Sequence, residues 1–565
     1  MRGRRRTAPQ RRFRVSSLDG AAAPHTDQPE LRRHVGLIGL LFASVGSIIG
    51  SGWLFGAMNA AKQAGPAAMI SWAIGMVMIL IIALVYSELG TMFPVSGGVV
   101  RFPHIAFGSF SSYLAGWILW IACATVAPIE VEAALQYATK YAPFTTEHMV
   151  NGDKVHTLTT LGYISAVILM ALFVLINYFG VKWFEKINTI LVWWKLLIIT
   201  VVIIAFLFAQ FHGSNFTSGK GGFMPFGWEG VFTSIATSGI VFSFLGFRQG
   251  IELAGETDNP KRNVPITVIG SVVLCGLLYI GLQVAFIGAL NGGDFAKGWD
   301  ALDFKDSFGP LAAVATTLGM AWLAYLLYAD AIVSPGDTGL IYTTVTSRVS
   351  YAMARNGNAP RALAKTNKNG VPFISLVVAF VVGLIVFLPF PSWQQLVGFI
   401  TSATVLSFAS GPLVVGALRR TKPNAPRPFR CPGGDVLPLL AFICSNLIVI
   451  WSTWTINFKL FITVLLGLVL LAVMSAMGHA KPPFEWKSGA WMLPWLGGLA
   501  ILSYLAGDLD DKAIMSFGWS CLLTVIFSVA VYYFAVMNRL PEERMDTHIA
   551  EIEREAALED DPMPA

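Results

Sequence analysis

The charges of this chain avoid its long apolar runs. AMISWAIGMVMILIIALVYS, residues 68–87, passes twenty positions without one, and the same pattern repeats along most of the sequence. A stretch of about 18 or more apolar residues is long enough to cross a membrane as a helix. Only 13% of the residues are charged, against about 25% in an ordinary soluble domain. The apolar windows predict about fourteen spans, at 35–62, 66–90, 108–138, 159–180, 183–211, 229–255, 264–290, 318–354, 372–390, 394–418, 436–455, 458–477, 490–506 and 513–537. The chain therefore reads as an all-α polytopic membrane protein in the lipid bilayer. Residues 1–34 are read as a disordered basic tail and 538–565 as an acidic one, in which THIAEIEREAALE is a solvated amphipathic helix. QRRFRV near the start has the look of a twin-arginine signal, but no short apolar core and cleavage site follow it.

Charge sidedness supports the count. With the N-terminus inside, the tails and inside loops hold most of the 39 Lys and Arg, including RRTKPNAPRPFR at 419–430, which is the positive-inside bias of a membrane protein. An even number of spans with both termini cytoplasmic follows, in a cell membrane. The net charge of +6 comes largely from these loops and does not argue for nucleic acid. The five cysteines, Cys123, Cys275, Cys431, Cys444 and Cys521, form no CxxC pair and read as packing residues. No disulfide framework, metal site or cofactor is expected.

The first span contains GSIIGSGWLF, residues 46–55, which is poor helix material because each glycine costs a helix interior about 1 kcal/mol relative to Ala. The sixth span carries a similar interruption, IATSGIVFSFLGFRQG, five spans later. Interrupted helices at corresponding positions of two halves point to a transporter's binding site, and an odd offset inverts the second half relative to the first. The glycines also fit a small-xxx-small packing face, but that leaves the matching positions unexplained.

GLLFASVGSIIGSGWLFG in span 1, YSELGTMFPVSGG at 86–98, GFRQGIELAGETDNPKRNVP at 246–265 and SRVSYAMARNGNAPRALAKTNKNGVP at 347–372 occur in that order. In these motifs the chain resembles the amino acid–polyamine–organocation transporters, over roughly residues 35–420. FSFLGFRQGIELAGET is most similar to the bacterial aspartate–proton symporters. The resemblance implies a five-plus-five inverted-repeat core at 35–420 with helices 1 and 6 unwound around the substrate. It leaves 421–537 as four additional helices, which show no buried charge pattern.

Within that frame Ser47, Ile49, Gly50, Ser51 and Gly52 form the first wall, with Gly50, Ser51 and Gly52 matching the family's carboxylate-binding turn. Freed N–H groups and a half-helix end attract an anion. Phe242, Ser243, Phe244 and Gly246 form the second wall and offer carbonyls to an ammonium. Arg248 is the most informative residue, because a charge at membrane depth is a functional hypothesis by default and its fork fits a carboxylate. Its expected partner is either a substrate side-chain carboxylate or a protein acid, Glu130 or Glu132 of span 3. Two residues apart on a helix, only one of the two faces the core squarely, and Glu130 is favoured. Lys195 in span 5 occupies the family's proton-coupling position, and Asp337 in span 8 is placed to pair with it near a helix loosened by Pro335 and Gly336. Snorkelling to the interface is the alternative for Lys195. Asp330 is expected to be wet, and Glu88 to be a structural or gate residue away from substrate.

The leading reading is a secondary transporter, not an enzyme: proton-coupled uptake of an amino acid, foremost aspartate or glutamate, by alternating access. No P-loop for ATP-driven transport and no HExxH motif occur. The runner-up is an exchanger or a permease for neutral or basic amino acids or polyamines, with Arg248 a structural ion-pair partner. A transporter-like nutrient sensor is the reading of a different class. The sequence leaves the oligomeric state open.

Overall fold

The computed structural model describes residues 35–95, 97–150, 153–179, 182–304, 308–367, 370–390, 392–478, 484–509 and 513–560; the tail at 1–34 lies outside the described residues. In chain order the helices of the first half are α1 (Leu37–Ile48), α2 (Gly52–Ala64), α3 (Ala68–Met92), α4 (Gly98–Ala138), α5 (Thr160–Tyr178) and α6 (Lys182–Ala209). Then come α7 (Gly227–Thr237), a 3-10 segment Phe242–Arg248, α8 (Gln249–Glu252), α9 (Pro260–Ala289), α10 (Pro310–Thr317), α11 (Ala321–Arg355), α12 (Phe373–Val386), α13 (Trp393–Phe408) and α14 (Ser410–Thr421). The remainder is α15 (Val436–Trp451), α16 (Trp454–Ala476), α17 (Trp486–Gly489), α18 (Met492–Ala506), α19 (Phe517–Met537) and α20 (Glu542–Asp560). Among the described residues nine stretches are long and apolar enough to cross a membrane, ten with the bent pair Gly227–Thr237 and Phe242–Glu252, and three apolar helices are shorter. One stretch, Gly52–Met92, is two helices: Gly65 at φ 61° turns the chain and Gly56 of α2 lies against Trp72 of α3.

Two helices differ from their expected spans in an instructive way. α4 starts at Gly98, ten residues before the span predicted from hydropathy, and is kinked at Gly108 (φ 79°, ψ −171°). Hydropathy missed the first segment because it carries Arg101 and His104. α11 runs unbroken through Pro335 and Gly336, so the expected loosening there does not occur. Proline removes one backbone bond of a helix, but α11 packs along α4, α6 and α12, and those contacts hold it. A hairpin of β1 (Thr145–Val150) and β2 (Asp153–Leu158), antiparallel with Thr145 opposite Leu158, fills the connection between α4 and α5.

α4 packs along α11, α3 along α9, and α13 closes on α4. The later helices join this core: α15 packs on α3, α7, α13 and α14, and α16 on α4 and α13. At the end of the bundle where Val35 lies, the loop after α14 is clamped to α3. Glu88 accepts from Arg419 Nε at 3.1 Å and Nη2 at 2.6 Å, from Arg427 Nε at 3.2 Å and from the Cys431 N–H at 2.9 Å. Burial pushes the Cys431 thiol up to about 12, so it stays neutral and accepts from Arg419 Nη2 at 2.9 Å. Glu88 is thus a structural tie, far from the helix breaks.

The C-terminal segment is not simply solvated. α20 is helical, and Met545, His548 and Ile552 bury one face of it. Hydropathy could not reveal this, because the helix is strongly charged on its other side and its docking site is the early segment of α4.

Candidate substrate and coupling site

The glycines of the first span do what poor helix formers do. α1 stops at Ile48, Ile49 turns to φ −87°, ψ 81°, and α2 begins at Gly52. The break in the sixth span runs from Ser238 to Val241, between two pieces bent by 48°. The two breaks touch. A Cβ on Gly246 would stand 2.4 Å from the Ile48 nitrogen and from the Ser47 carbonyl carbon, and one on Gly52 would collide with Ser243 Oγ. Backbone irregularity at this depth is tolerated where it is enclosed by protein, and here each break encloses the other.

The freed Ser51 N–H donates to Glu130 Oε2 at 2.7 Å. The turn expected to hold a substrate carboxylate is therefore seated on a carboxylate of the protein itself. Gly50 allows the approach, since a Cβ there would be 2.6 Å from Glu130 Oε1 and 3.0 Å from Thr338 Cγ2. The expected Glu130–Arg248 ion pair is not formed: the Ser51 N–H takes the carboxylate first. Glu132 is also buried, but it lies beside Tyr163 of α5, and neither of its oxygens has a hydrogen-bond partner.

Lys195 is completely buried. Its ammonium meets Asp337 Oδ2 at 2.7 Å, the Gly46 carbonyl at 2.8 Å and Thr338 Oγ1 at 3.2 Å. The ammonium thus has one ionic partner and two hydrogen-bond acceptors, and α6 is tied to α11 and to the last turn of α1 before its break. Thr338 also donates, to the carbonyl of Gly46 at 3.1 Å and that of Ile49 at 3.3 Å. Snorkelling is excluded by this geometry. Asp330, expected to be wet, is fully buried: its Oδ1 accepts from Trp194 Nε1 at 2.8 Å and Ser334 Oγ at 2.7 Å. The indole of Trp194, next to Lys195 in α6, thus reaches across to α11.

Arg248 is 1% exposed and poorly matched. Its Nη2 donates to Cys123 Sγ at 3.1 Å, and its guanidinium carbon lies 4.9 Å from the ring centre of Tyr342. Nε and Nη1 have no hydrogen-bond partner, and no carboxylate is within ion-pair distance among the described residues. Glu252, one turn further on, is buried with Oε1 unpartnered. Beyond it the Val35 end is closed by Val35 N–H to Glu256 O at 3.0 Å, Asp258 N–H to Val35 O at 3.1 Å and Arg348 Nη1 to Glu256 Oε1 at 2.5 Å.

On the opposite side of the turn stands Trp393, the first residue of α13. Its Nε1 donates to Ser51 Oγ at 2.8 Å, and its ring packs on Phe55 at 4.9 Å and Phe242 at 6.2 Å. Sequence reasoning missed it, since a tryptophan at a span's edge reads as an interface anchor. It missed Cys123, Thr338 and Tyr342 as well, none of which carries a signal outside its fold. Phe244, expected on the substrate wall, packs between Trp72 and Tyr279, toward α3 and α9.

Two broken helices back to back, with buried charges gathered beside both breaks, have the arrangement of a membrane transporter. The comparisons make the class particular. The amino acid permease family model matches residues 35–496, and the chain belongs to that family. It is 40% identical to the glutamate/serine transporter AimA of Bacillus subtilis (strain 168), over 90% of this chain and 94% of that one. It is 35% identical to the aspartate-proton symporter of the same organism, over 92% of this chain and 99% of that protein. The branched-chain amino acid permease BcaP, also from B. subtilis, is 27% identical over 83% of this chain. The protein is an amino acid transporter.

Proposed function

We propose that the protein carries an acidic amino acid, aspartate or glutamate, into the cell together with protons, with both termini on the cytoplasmic side of the plasma membrane. The observation that carries this reading is Arg248, a buried guanidinium beside the second break with two nitrogens, Nε and Nη1, and their three N–H groups unused. Leaving such donors unsatisfied costs about 1–3 kcal/mol each, more for a charged group, and a second carboxylate on the substrate removes the cost. The relatives named for glutamate/serine and aspartate-proton transport support the same substrate class.

Coupling follows from competition at Ser51. The substrate's α-carboxylate and the Glu130 carboxylate want the same N–H, and two carboxylates sharing one site do not both stay ionised. Substrate therefore binds when Glu130 takes a proton and releases the turn. The Lys195–Asp337 pair ties the same break to α6 and α11, so a change in its protonation frees the α1 end to move. These residues serve the proton, while Ser47, Ile49, Gly50, Ser51, Gly52, Phe242, Ser243, Gly246 and Arg248 serve the substrate.

A second reading is favoured by the serine in the name of the 40% relative: a neutral substrate, taken up or exchanged, with Arg248 held by Cys123 and Tyr342 alone. Proteoliposomes under an inward pH gradient, offered a labelled amino-acid panel, separate the two. Aspartate or glutamate uptake that ignores the gradient overturns symport, and acidic amino acids that neither enter nor compete overturn the substrate class.

A further inference from the structure

The docked C-terminal helix carries a cluster that transport does not use. His548 of α20 stacks on His104 of α4, with ring centres 4.2 Å apart and planes at 23°. Glu551, one turn along α20, joins them, so that one ligand-capable atom of each residue lies within 4.8 Å of those of the other two.

The hydrogen bonding around His548 has a direction. Its Nδ1 is 2.8 Å from the backbone carbonyl of His104, an acceptor only, so Nδ1 carries the hydrogen. That leaves the Nε2 lone pair free. Nε2 stands 3.5 Å from Glu485 Oε1, a buried oxygen that accepts no hydrogen bond. A lone pair facing a carboxylate oxygen is repulsive unless a cation lies between them, a proton on Nε2 or a metal ion. His104 supplies a second ring nitrogen, Nδ1, that is buried without a partner. An imidazole that donates one N–H to a backbone carbonyl while presenting its other nitrogen is the usual state of a metal-bound histidine.

We propose that His104, His548 and Glu551 bind a divalent transition-metal ion of the zinc type, with Glu485 at the edge of the site. Two imidazoles and a carboxylate suit such an ion, and bonds of about 2.0–2.2 Å fit a tetrahedral site completed by water. From their separation of up to 4.8 Å the three donors have to draw together by about an ångström. The stacked His104 and His548 rings have to turn out of their parallel arrangement so that both lone pairs meet the ion; Glu551 is exposed and free to follow. The bound ion pins α20 to the early segment of α4. Glu485 continues the connection, since its Oε2 accepts from the Ser109 N–H at 3.0 Å at the Gly108 kink. α4 is also the helix that carries Cys123 and Glu130, so metal occupancy stiffens a wall of the transport site from its far end. Arg544, 3.3 Å from Glu485 Oε1, balances that carboxylate whether or not the ion is present.

The test uses the full-length protein, purified in detergent and stripped with a chelator. Cobalt(II) titration is expected to give one equivalent bound per chain with the visible absorption of a tetrahedral site, and zinc to displace it. His104→Ala and His548→Ala are each expected to weaken binding by about tenfold or more, using the loss seen for supporting residues as a floor. Glu551→Gln, an exposed change that leaves the fold intact, is expected to weaken it as well. Limited proteolysis gives an independent readout: zinc is expected to protect the segment after Asn538 in the unsubstituted protein and not in His548→Ala. Absence of saturable binding, binding unchanged in both histidine variants, or a tail whose protection follows pH and ignores zinc overturns the proposal.

Discussion

Two buried arginines, 171 positions apart in the chain, behave in opposite ways. Arg419 spends every nitrogen: Nε and Nη2 on Glu88, Nη2 also on Cys431, and Nη1 on the Gly434 carbonyl. Arg248 spends one nitrogen on a thiol, rests over an aromatic ring and leaves two nitrogens, Nε and Nη1, unused. The first has the wiring of a structural tie, in which both ions are desolvated and fully repaid by each other. The second has the wiring of a site that waits for a partner. Burial alone does not separate them; hydrogen-bond saturation does.

The comparison breaks most visibly in stability. Arg419→Ala removes two of the four bonds to Glu88, leaving those from Arg427 and the Cys431 N–H, and each lost bond to a charged group costs about 1.5–3 kcal/mol. A large fall in the unfolding temperature of the detergent-solubilised protein is expected, with little folded material recovered. Arg248→Ala removes a charge that has no ionic partner, so its unfolding temperature is expected to stay near that of the parent. Its effect belongs in transport: losing hydrogen bonds to a charged group is worth about 1.5–3 kcal/mol, which is a rise in KM for aspartate or glutamate of about 10- to 100-fold. If Arg248→Ala unfolds as Arg419→Ala does, Arg248 is a structural tie as well.

Glu130→Gln sharpens the contrast at the first break. The amide still accepts from the Ser51 N–H but neither titrates nor repels a carboxylate. Substrate binding is expected to survive while stimulation of uptake by an inward pH gradient is lost, because the site no longer exchanges a proton. Proteoliposome uptake at two external pH values reads this directly. The smallest effect is expected for Trp393→Phe, which keeps the ring against Phe55 and Phe242 but loses the bond to Ser51 Oγ. One hydrogen bond of about 1 kcal/mol predicts a KM change of about fivefold with unfolding temperature unchanged.

Much of this architecture was legible before any coordinates. Apolar runs without charges define spans whatever their neighbours, because the bilayer is a uniform solvent for them. The breaks at Gly50 and near Gly239 were legible too, since glycine weakens a helix locally. What failed were statements about partners. Asp330 looked wet from its position along α11, yet Trp194 covers it. Glu130 looked like the match for Arg248, yet the Ser51 N–H, 79 positions away, holds it. Trp393 was not singled out at all, yet it stands over the turn from 342 positions away. The C-terminal helix looked solvated, yet one face is buried on a segment of α4 that hydropathy did not include in a span.

The sequence by itself therefore determined the solvent of this protein, its run of spans and the two places where its helices give way. These follow from composition and local propensity, which act over a few turns. Only the tertiary structure decided which carboxylate sits on which donor, and hence which buried charges are satisfied and which are open to a ligand. A hydrogen bond reaches about 3 Å, so its partner is set by how distant helices pack, and nothing in either residue's own neighbourhood records it.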